Sequence, residues 1–240
     1  MIIPNWPAPA NVKAFASTRE GGVSMHPYQG LNVGMHVGDD PELVAQNRQW
    51  LMAHSGMPSA PVWLNQTHST HVVTLDSATD TVLDADGALT RQAGIVCSAM
   101  TADCLPVLLT NREGTEVAAV HAGWRGLLDG IVENAVRLMS GELMAWIGPA
   151  ISVEAFEVGQ EVRDQFVAHD SQAQTAFSPG RQPGKYMADM NRLVEQRLQS
   201  VGVTAIYQSG LCTYRDADRF YSYRRDGVTG RQASFIWLES

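Results

Sequence analysis

The sequence of 240 residues has no apolar stretch that approaches the roughly 18–20 residues of a membrane-spanning helix. Its three cysteines, Cys97, Cys104 and Cys212, are too few and odd in number for a disulfide framework, which favours free thiols in a reducing compartment. The opening segment MIIPNWPAPANVK has neither the cationic region nor the apolar core of a secretion signal. A cytoplasmic location is therefore expected.

Basic residues are also in short supply. Lys and Arg number 17 against 25 Asp and Glu, which gives a formal net charge of −8. Such a chain does not favour a broad surface for nucleic acid or anionic membranes, but it leaves room for a local basic pocket. There is no GxxxxGK[ST] motif and no GxGxxG motif after a strand, so no ATP or dinucleotide site is expected. The oligomeric state is left open.

Apolar segments alternate with helix signals along the whole chain. Asp40 and Pro41 predict a helix that runs to about Met52, because Asp caps a helix and Pro suits its first position. Further helices are predicted over 127–139, 159–169 and 187–201. Strands are predicted over 12–17, 61–66, 71–76, 94–100, 105–111, 115–123, 144–147, 204–209 and 234–238. This interleaving, with no linker of Pro, Gly and Ser, predicts one mixed α/β domain over residues 1–240.

Three residues with metal-ligand chemistry lie where predicted strands end. His68 follows the strand over 61–66, Cys104 lies in the break TADC between two apolar strands, and His121 opens the turn HAGWRG. Strand ends are where α/β folds place reactive groups. Two imidazoles and one thiolate can hold zinc with an open coordination position, which is the catalytic pattern. Alternatively, His121 activates Cys104 as a metal-free nucleophile, or Cys104 is a packed core thiol.

Charged side chains near these residues have candidate supporting roles. Asp86 and Asp103 are candidates for orienting a ligand histidine. Arg125 precedes a predicted helix, and Arg225 lies in the C-terminal RRDG segment. Substrate contact and loop anchoring remain equally open for these two arginines. His71 is not expected to share a metal with His68, because odd spacing on a strand directs the side chains to opposite faces.

Several multi-residue motifs resemble those of the YfiH family, whose members are also labelled laccase-domain or multicopper polyphenol oxidase proteins. The resemblance spans nearly the whole chain in order. Its motifs are STREGGVS (17–24), LNVGMHVGDD (31–40), VWLNQTHS (62–69), TADCLPVLL (101–109), HAGWRG (121–126), WIGPAI (146–151), FEVG (156–159) and YSYRRDGVTGRQASFIWL (221–238).

The resemblance implies a fold similar to that of a toxin with a Cys–His hydrolase site. It also implies that His68, Cys104 and His121 form the catalytic or metal-binding cluster, with zinc or copper as the metal. The implied activity is purine nucleoside phosphorolysis, in which adenosine, inosine or methylthioadenosine reacts with phosphate. Adenosine deamination is implied as a side activity, although the usual zinc-deaminase signature, HxE with PCxxC, is absent from this sequence.

Phosphorolysis needs a phosphate site, a sugar site and a proton for the departing base. Arg19 and Arg224 are the candidates for phosphate, and Asn32 and Gln66 for the ribose or base. His68 or His121 can protonate the leaving purine near neutral pH. Trp63 and Tyr221 are candidates for stacking on the base.

Three alternative functions stay open. A Cys–His amide hydrolase acting on peptidoglycan precursors would use Cys104 as nucleophile and His121 as base. A copper polyphenol oxidase is disfavoured, because the seven histidines include no HxH pair and leave too few clustered ligands. A non-enzymatic zinc-binding module would need a fourth ligand, for which Asp103 and Cys212 are candidates.

Overall fold

The computed structural model describes residues 1–240. Its strands are β1 (Val12–Ala16), β2 (Pro61–Val62), β3 (Leu64–Asn65), β4 (Val72–Leu75), β5 (Leu83–Asp84), β6 (Gly87–Thr90), β7 (Val96–Thr101), β8 (Leu105–Asn111), β9 (Val117–Ala122), β10 (Leu143–Ile147), β11 (Glu157–Gly159), β12 (Phe177–Pro179), β13 (Lys185–Ala188), β14 (Ala205–Gln208) and β15 (Gln232–Leu238). Its helices are α1 (Pro41–Ser55), α2 (Trp124–Asp129), α3 (Ile131–Leu138), α4 (Gln160–His169), α5 (Met190–Ser200) and α6 (Tyr223–Asp226), with a 3₁₀ helix at Ser171–Ala176.

Two packed sheets form the centre of the molecule. One has four strands in the order β1-β15-β7-β2, and the other has six in the order β14-β10-β8-β9-β6-β4. Small sheets of three strands (β11-β13-β12) and two strands (β3-β5) lie beside them. No helix combines the length and the apolar character that a membrane span requires. The predicted mixed α/β class is confirmed.

The molecule has four layers: α1, the four-stranded sheet, the six-stranded sheet and the helices α2 to α5. An apolar core lies between each pair of neighbouring layers. The core between the two large sheets contains Cys97 of β7, Leu108 of β8 and Trp146 of β10. The outer face of the six-stranded sheet packs on α2 to α5, and the outer face of the four-stranded sheet packs on α1 through Leu51. Because both faces of each large sheet are covered, strands such as β7, β8 and β9 are buried at every position.

Most predicted elements are confirmed, with local differences. Asp40 caps α1 by accepting a hydrogen bond from the N–H of Glu42, and β8 covers the predicted residues 105–111. The predicted strand over 61–66 is divided into β2 and β3, and the helix over 127–139 is divided at Gly130, whose φ is 101°. A left-handed glycine ends a helix because its positive φ breaks the hydrogen-bond ladder. Short strands such as β6 and β13 were not predicted.

The pairing directions bring distant segments to one edge of the six-stranded sheet. β9 runs antiparallel to β8 and to β6, and β6 runs parallel to β4. The end of β9 therefore lies beside the starts of β8, β6 and β4. In the other large sheet, the start of β15 pairs with the end of β7, with Gln232 opposite Thr101. This places residue 231, just before β15, near the TADC break that follows β7.

Candidate active site

His68, Cys104 and His121 come together at this edge, as the sequence predicts. Their potential ligand atoms all lie within 4.8 Å of one another. The Sγ atom of Cys104 is 3.8 Å from Nε2 of His68, and the two imidazole rings have centroids 4.9 Å apart. His121 is buried, Cys104 is half-buried and His68 is exposed, so the cluster is covered by protein at His121 and open to solvent at His68. No other group of three such side chains has this proximity.

Asp86, buried at the start of β6, connects two members of the cluster. Its carboxylate accepts a 2.8 Å hydrogen bond from Nδ1 of His121, which leaves the opposite ring nitrogen, Nε2, to face Cys104. It also accepts from the backbone N–H groups of Thr67, His68 and Ser69 and from the Ser69 hydroxyl. One carboxylate therefore sets the tautomer of His121 and fixes the loop that carries His68. The predicted orienting role of Asp86 has this physical basis.

His68 and Asp103 are the only non-glycine residues with positive φ, at 62° and 99°. Such backbone is uncommon for residues with a side chain, and it tends to occur at functional sites. His68 therefore lies in a loop rather than on a strand. The exposed His71 is turned away, with Nδ1 2.8 Å from the Asp84 carbonyl oxygen. The expectation that His71 does not join the cluster agrees with this geometry, although the loop supplies a different reason.

Asp103 anchors the C-terminal segment beside Cys104. Its carboxylate accepts hydrogen bonds from the Thr213 hydroxyl at 2.7 Å and from the backbone N–H of Arg224 at 2.6 Å. It therefore orients α6 rather than a histidine. Arg225 is a loop anchor as well, because its guanidinium bonds the carbonyls of Thr213, Tyr214 and Phe220.

Gly123 makes room for the cluster. A Cβ atom at this position would lie 2.4 Å from Cδ2 of His68 and 3.2 Å from Sγ of Cys104. These are contacts that no side chain can make without moving the imidazole. The first glycine of HAGWRG is thus required by the close approach of the backbone to the two side chains.

The electrostatics of the cluster favour its charged forms. Burial alone would raise the pKa of the Cys104 thiol, but His121 and His68 outweigh it and lower the pKa to about 6. Burial alone would lower the pKa of His121, but the Cys104 thiolate and the Asp86 carboxylate outweigh it and raise the pKa to about 9. Hydrogen bonds from His121 and Ser69 likewise overcome burial at Asp86 and lower its pKa to about 2. Near neutral pH the group is thus a thiolate beside an imidazolium.

The same three side chains can hold a metal ion. Zn–S bonds of about 2.3 Å and Zn–N bonds of about 2.0–2.1 Å place tetrahedral S and N ligands roughly 3.6 Å apart. The 3.8 Å between Cys104 Sγ and His68 Nε2 is close to that value. The thiolate, a soft donor, and the two imidazoles suit zinc or copper, and the solvent side supplies no fourth protein ligand. Asp103 and Cys212, the predicted alternatives for a fourth ligand, are not in the group.

The cluster opens into a cleft of about 430 Å³. A smaller cavity of about 130 Å³ also has Cys104 among its lining residues. The residues that line both spaces are Ala102, Cys104, Trp124 and Tyr223. The larger space is within the range of small-molecule sites, so the cluster lies where a ligand can reach it.

Two predicted substrate residues lie at this cleft. Gln66 lines the larger space, but its amide bonds both the N–H and the carbonyl of Met100, which fixes the loop before His68. Arg224 lines the smaller cavity, with its guanidinium 4.9 Å above the ring of Phe156 and bonded to the carbonyl of Glu157.

The structure does not bring Arg19 and Asn32 to the cluster. Arg19 lines a separate cleft and donates hydrogen bonds to the carbonyls of Gln29 and Ala217. Asn32 is fully buried, and its amide bonds Asp39, Gly34 and the backbone N–H of Arg231. Both predicted roles would need contact with a substrate outside this cleft.

The two predicted stacking residues do not line the cleft either. Tyr221 is fully buried, and its hydroxyl bonds the carbonyls of Tyr28 and Gln29. Trp63 packs edge-on against Phe235 and beneath the guanidinium of Arg48. Trp124 and Tyr223 line the cleft in their place.

Four residues that line the cleft were not predicted from the sequence to do so: His36, Trp124, Tyr223 and Arg231. Arg231 reaches it only because β15 pairs with β7, and Tyr223 because Asp103 anchors α6. All four lie in motifs quoted above, LNVGMHVGDD, HAGWRG and YSYRRDGVTGR, and membership of these motifs is the one signal in the sequence. Arg125, left open above, also lines the cleft, and its guanidinium lies 4.3 Å above the Trp124 ring.

Comparison with known proteins places this architecture among related chains. The family model described as multi-copper polyphenol oxidoreductase laccase matches residues 13–239. The purine nucleoside phosphorylase YfiH of Escherichia coli K12 is 50% identical over 99% of this chain and 98% of its own length. A purine nucleoside phosphorylase of Haemophilus influenzae is 47% identical over 99% of both chains.

A solved structure is similar over the full length. The Neisseria meningitidis protein NMB0706, of the DUF152 family model, superposes with a TM-score of 0.94 at 48% identity, covering 100% of this chain and 99% of that one. Because the family model, the Escherichia coli relative and the solved structure all match over nearly the whole chain, the chain belongs to the YfiH family, whose family model carries the laccase description.

Proposed function

We propose that this chain is a purine nucleoside phosphorylase that acts on adenosine, inosine and methylthioadenosine. The observation that carries the proposal is the open His68–Cys104–His121 cluster facing a cleft of about 430 Å³ with cationic walls. The names of relatives about half identical over nearly the whole chain support the same reaction. We also propose the cytoplasm as its location, which agrees with three free thiols.

The reaction breaks one bond and forms one. The bond between C1′ of the pentose and N9 of the purine breaks, and its electron pair stays on N9. An oxygen of hydrogen phosphate bonds to C1′, and the proton of that phosphate ends on the departing base. The products are the free base and a pentose 1-phosphate, so atoms and charge balance without any further reactant.

The residues of the cluster have separate roles in this reaction, and these roles depend on whether a metal is bound. His121 is held by Asp86, and with no metal bound it can pass a proton through Nε2 to the leaving base. If zinc were bound, His68, Cys104 and His121 would be its ligands, and their coordinating atoms would not be free to transfer a proton. We propose zinc as the metal, which when bound supplies a Lewis acid at the open face of the cluster.

A phosphate-dependence assay tests the proposal. Purified protein is incubated with inosine or adenosine, with and without phosphate, and the products are separated by chromatography. Base and pentose 1-phosphate that form only with phosphate support the phosphorylase. Inosine formed from adenosine without phosphate supports the deaminase side activity that the family resemblance implies. The absence of free base under both conditions contradicts the main proposal.

A Cys–His amide hydrolase is the second candidate, and one observation favours it. Cys104, His121 and Asp86 are arranged as a nucleophile, a base and an orienting carboxylate, and the pKa of Cys104 is lowered to about 6. In metal-free protein, alkylation of Cys104 by iodoacetamide should reach half its maximal rate near pH 6. Hydrolysis of a peptidoglycan precursor without phosphate, persisting after chelation, would move the assignment to this candidate.

The remaining candidates lack support at the site. The structure brings together one group of three ligands, whereas a multicopper oxidase needs several clustered histidines. A purely structural zinc module needs a closed set of four protein ligands, and this cluster faces a cleft.

A further inference from the structure

We propose that the cleft is divided at Cys104 into two chambers with different ligands, phosphate in one and the purine base in the other. The polar chamber is the space of about 430 Å³ that includes His36, Arg125 and Arg231. The apolar chamber is the cavity of about 130 Å³ that includes Leu105, Ile151, Phe156 and Met190. The inference rests on the proposed phosphorylase and makes Phe156 and Arg231 its specificity residues.

The polar chamber has the charge that an anion needs. Arg125 and Arg231 supply this charge, since burial and the nearby Arg231 and Arg48 lower the pKa of His36 and leave its ring uncharged near neutral pH. No carboxylate is among the lining residues, although the chain as a whole carries a net charge of −8. Arg231 is half-buried. Its guanidinium donates hydrogen bonds to the carbonyls of Thr229 and Gly230, and both bonds come from Nη1. Its other donors are free to form the paired hydrogen bonds by which a guanidinium binds phosphate.

Arg125 is free in the same way. Its guanidinium contacts the face of Trp124 at 4.3 Å and has no ion-pair partner. Arg225 lines neither chamber and differs from Arg125, because its guanidinium is paired with Asp226 and bonded to backbone carbonyls. The contrast separates an arginine that anchors a loop from arginines that can bind a ligand.

The apolar chamber has the opposite character. Leu105, Ile151 and Met190 are buried, and Phe156 presents an aromatic ring. The carboxylate of Asp103 is already bonded to Thr213 and to Arg224. A phosphate that entered this space would lose its hydration with only one cation, Arg224, to replace it, and that guanidinium is already held by the Glu157 carbonyl and the Phe156 ring, so entry is costly. A flat, uncharged purine loses little on entering, and it gains contact with aromatic faces.

The boundary between the chambers lies where the reaction must occur. Cys104, Trp124 and Tyr223 line both, so a base in the apolar chamber and a phosphate in the polar chamber meet beside the cluster. The glycosidic bond then spans the boundary, and the phosphate approaches C1′ from the side opposite the departing base. Arg224 also lines the apolar chamber, where its Nη1 is bonded to the Glu157 carbonyl and its remaining donors are available to hydrogen-bond ring nitrogens of the base.

Two-substrate kinetics test the division, with the KM values for inosine and phosphate measured separately. Phe156→Ala should raise the KM for inosine about tenfold and leave that for phosphate within about twofold. Arg231→Gln should do the reverse, raising the KM for phosphate about tenfold or more. Phe156→Leu, which retains an apolar side chain on the helical core, serves if Phe156→Ala does not fold.

Matched controls lie outside both chambers. Phe177→Ala removes a half-buried ring that packs against the same apolar core, and Arg112→Gln removes an arginine paired with Glu142 at the far end of β8. Both should leave the two KM values within about twofold of wild type. If Phe156→Ala and Arg231→Gln instead raise both KM values equally, the two-chamber division is wrong while the phosphorylase stands.

Binding measurements keep this result distinct from a failure of the proposed function. Adenine and inorganic phosphate are titrated separately by calorimetry into each variant. Loss of adenine binding only in Phe156→Ala, and of phosphate binding only in Arg231→Gln, supports the two chambers even if inosine is never cleaved. Equal losses in both variants, or binding of neither probe to wild type, overturn the division.

Discussion

The Gly-rich segment 19–39 and the edge of the six-stranded sheet that carries His68, Cys104 and His121 are both rich in polar residues. They differ in how many of those polar groups form hydrogen bonds within the protein. In the segment, most polar side chains form hydrogen bonds within the protein, and His36 is the residue of the segment that lines the cleft. The Asn47 amide bonds Ser24 and the carbonyl of Asn32, and Ser24 in turn bonds Asp39. At the cluster, hydrogen bonds to the protein leave polar atoms unused: His121 bonds Asp86 through Nδ1, and Arg231 bonds backbone carbonyls through Nη1 alone. Groups with unused capacity facing a cleft distinguish a binding site from a structural loop.

The two regions are nevertheless coupled. The Asn32 amide oxygen accepts a hydrogen bond from the backbone N–H of Arg231 at 2.8 Å, and the Val33 N–H bonds the Arg231 carbonyl. The segment therefore holds the strand start that presents Arg231 to the cleft. The family motifs STREGGVS and LNVGMHVGDD lie largely within this segment, which agrees with its role in positioning Arg231.

The largest expected effect is that of Cys104→Ala. Phosphorolysis should fall by at least about 100-fold, because the cluster loses its only sulfur ligand or nucleophile. Thermal unfolding should change little, since Cys104 is half-buried at a cleft. Cys97→Ala is the matched control, because Cys97 is fully buried between the sheets and should lose stability while retaining turnover. Wild-type turnover in Cys104→Ala would remove the cluster from the reaction.

Asp86→Asn should reduce activity or metal affinity by about 10- to 100-fold, because His121 loses its orienting carboxylate. The pKa of Asp86 is lowered from 3.8 to about 2, so its ionised form contributes stability above pH 4 that is lost as the pH falls through 2. Unfolding temperatures measured across this range should therefore fall more steeply for wild type than for the variant. Parallel pH profiles would show that the carboxylate is not held as described.

Gly123→Ala should reduce turnover about tenfold, because its Cβ would lie 2.4 Å from Cδ2 of His68 and displace the ring. Gly202→Ala is the control, since its added Cβ contacts nothing but its φ of 89° is unfavourable for alanine. That variant should lose about 1 kcal/mol of stability and keep its kcat. If the two variants behave alike in kinetics, the crowding at His68 does not matter.

Arg19→Gln should have the smallest effect on catalysis. Its guanidinium bonds backbone carbonyls and lies 4.7 Å above the Tyr221 ring, in a cleft separate from the cluster. We expect a loss of about 1 kcal/mol in unfolding free energy and a KM for phosphate within about twofold of wild type. A tenfold rise in that KM would instead support the phosphate-binding role predicted from the sequence.

Long strands and capped helices could be predicted from the chain alone, and short strands could not. β8 is a continuous apolar run, and α1 begins at an Asp-Pro signal, so local chemistry identifies both. β6 and β13 have four residues each, with little periodicity, and form only because neighbouring strands offer partners. The division of the helix at Gly130 is similar, since a single glycine is permitted within a helical pattern.

By itself, the sequence determined which three residues to expect together, because His68, Cys104 and His121 stand out by their chemistry and by their position at the ends of predicted strands, and the structure brings their side chains together. It also carried the motifs that identify the family. Only the tertiary structure decided what surrounds that set. Antiparallel pairing of β15 with β7 brings Arg231 to the cleft, and the Asp103 carboxylate brings Tyr223. Residues so far apart in the chain have no local signal of contact, because their proximity depends on strand order and on hydrogen bonds formed after folding.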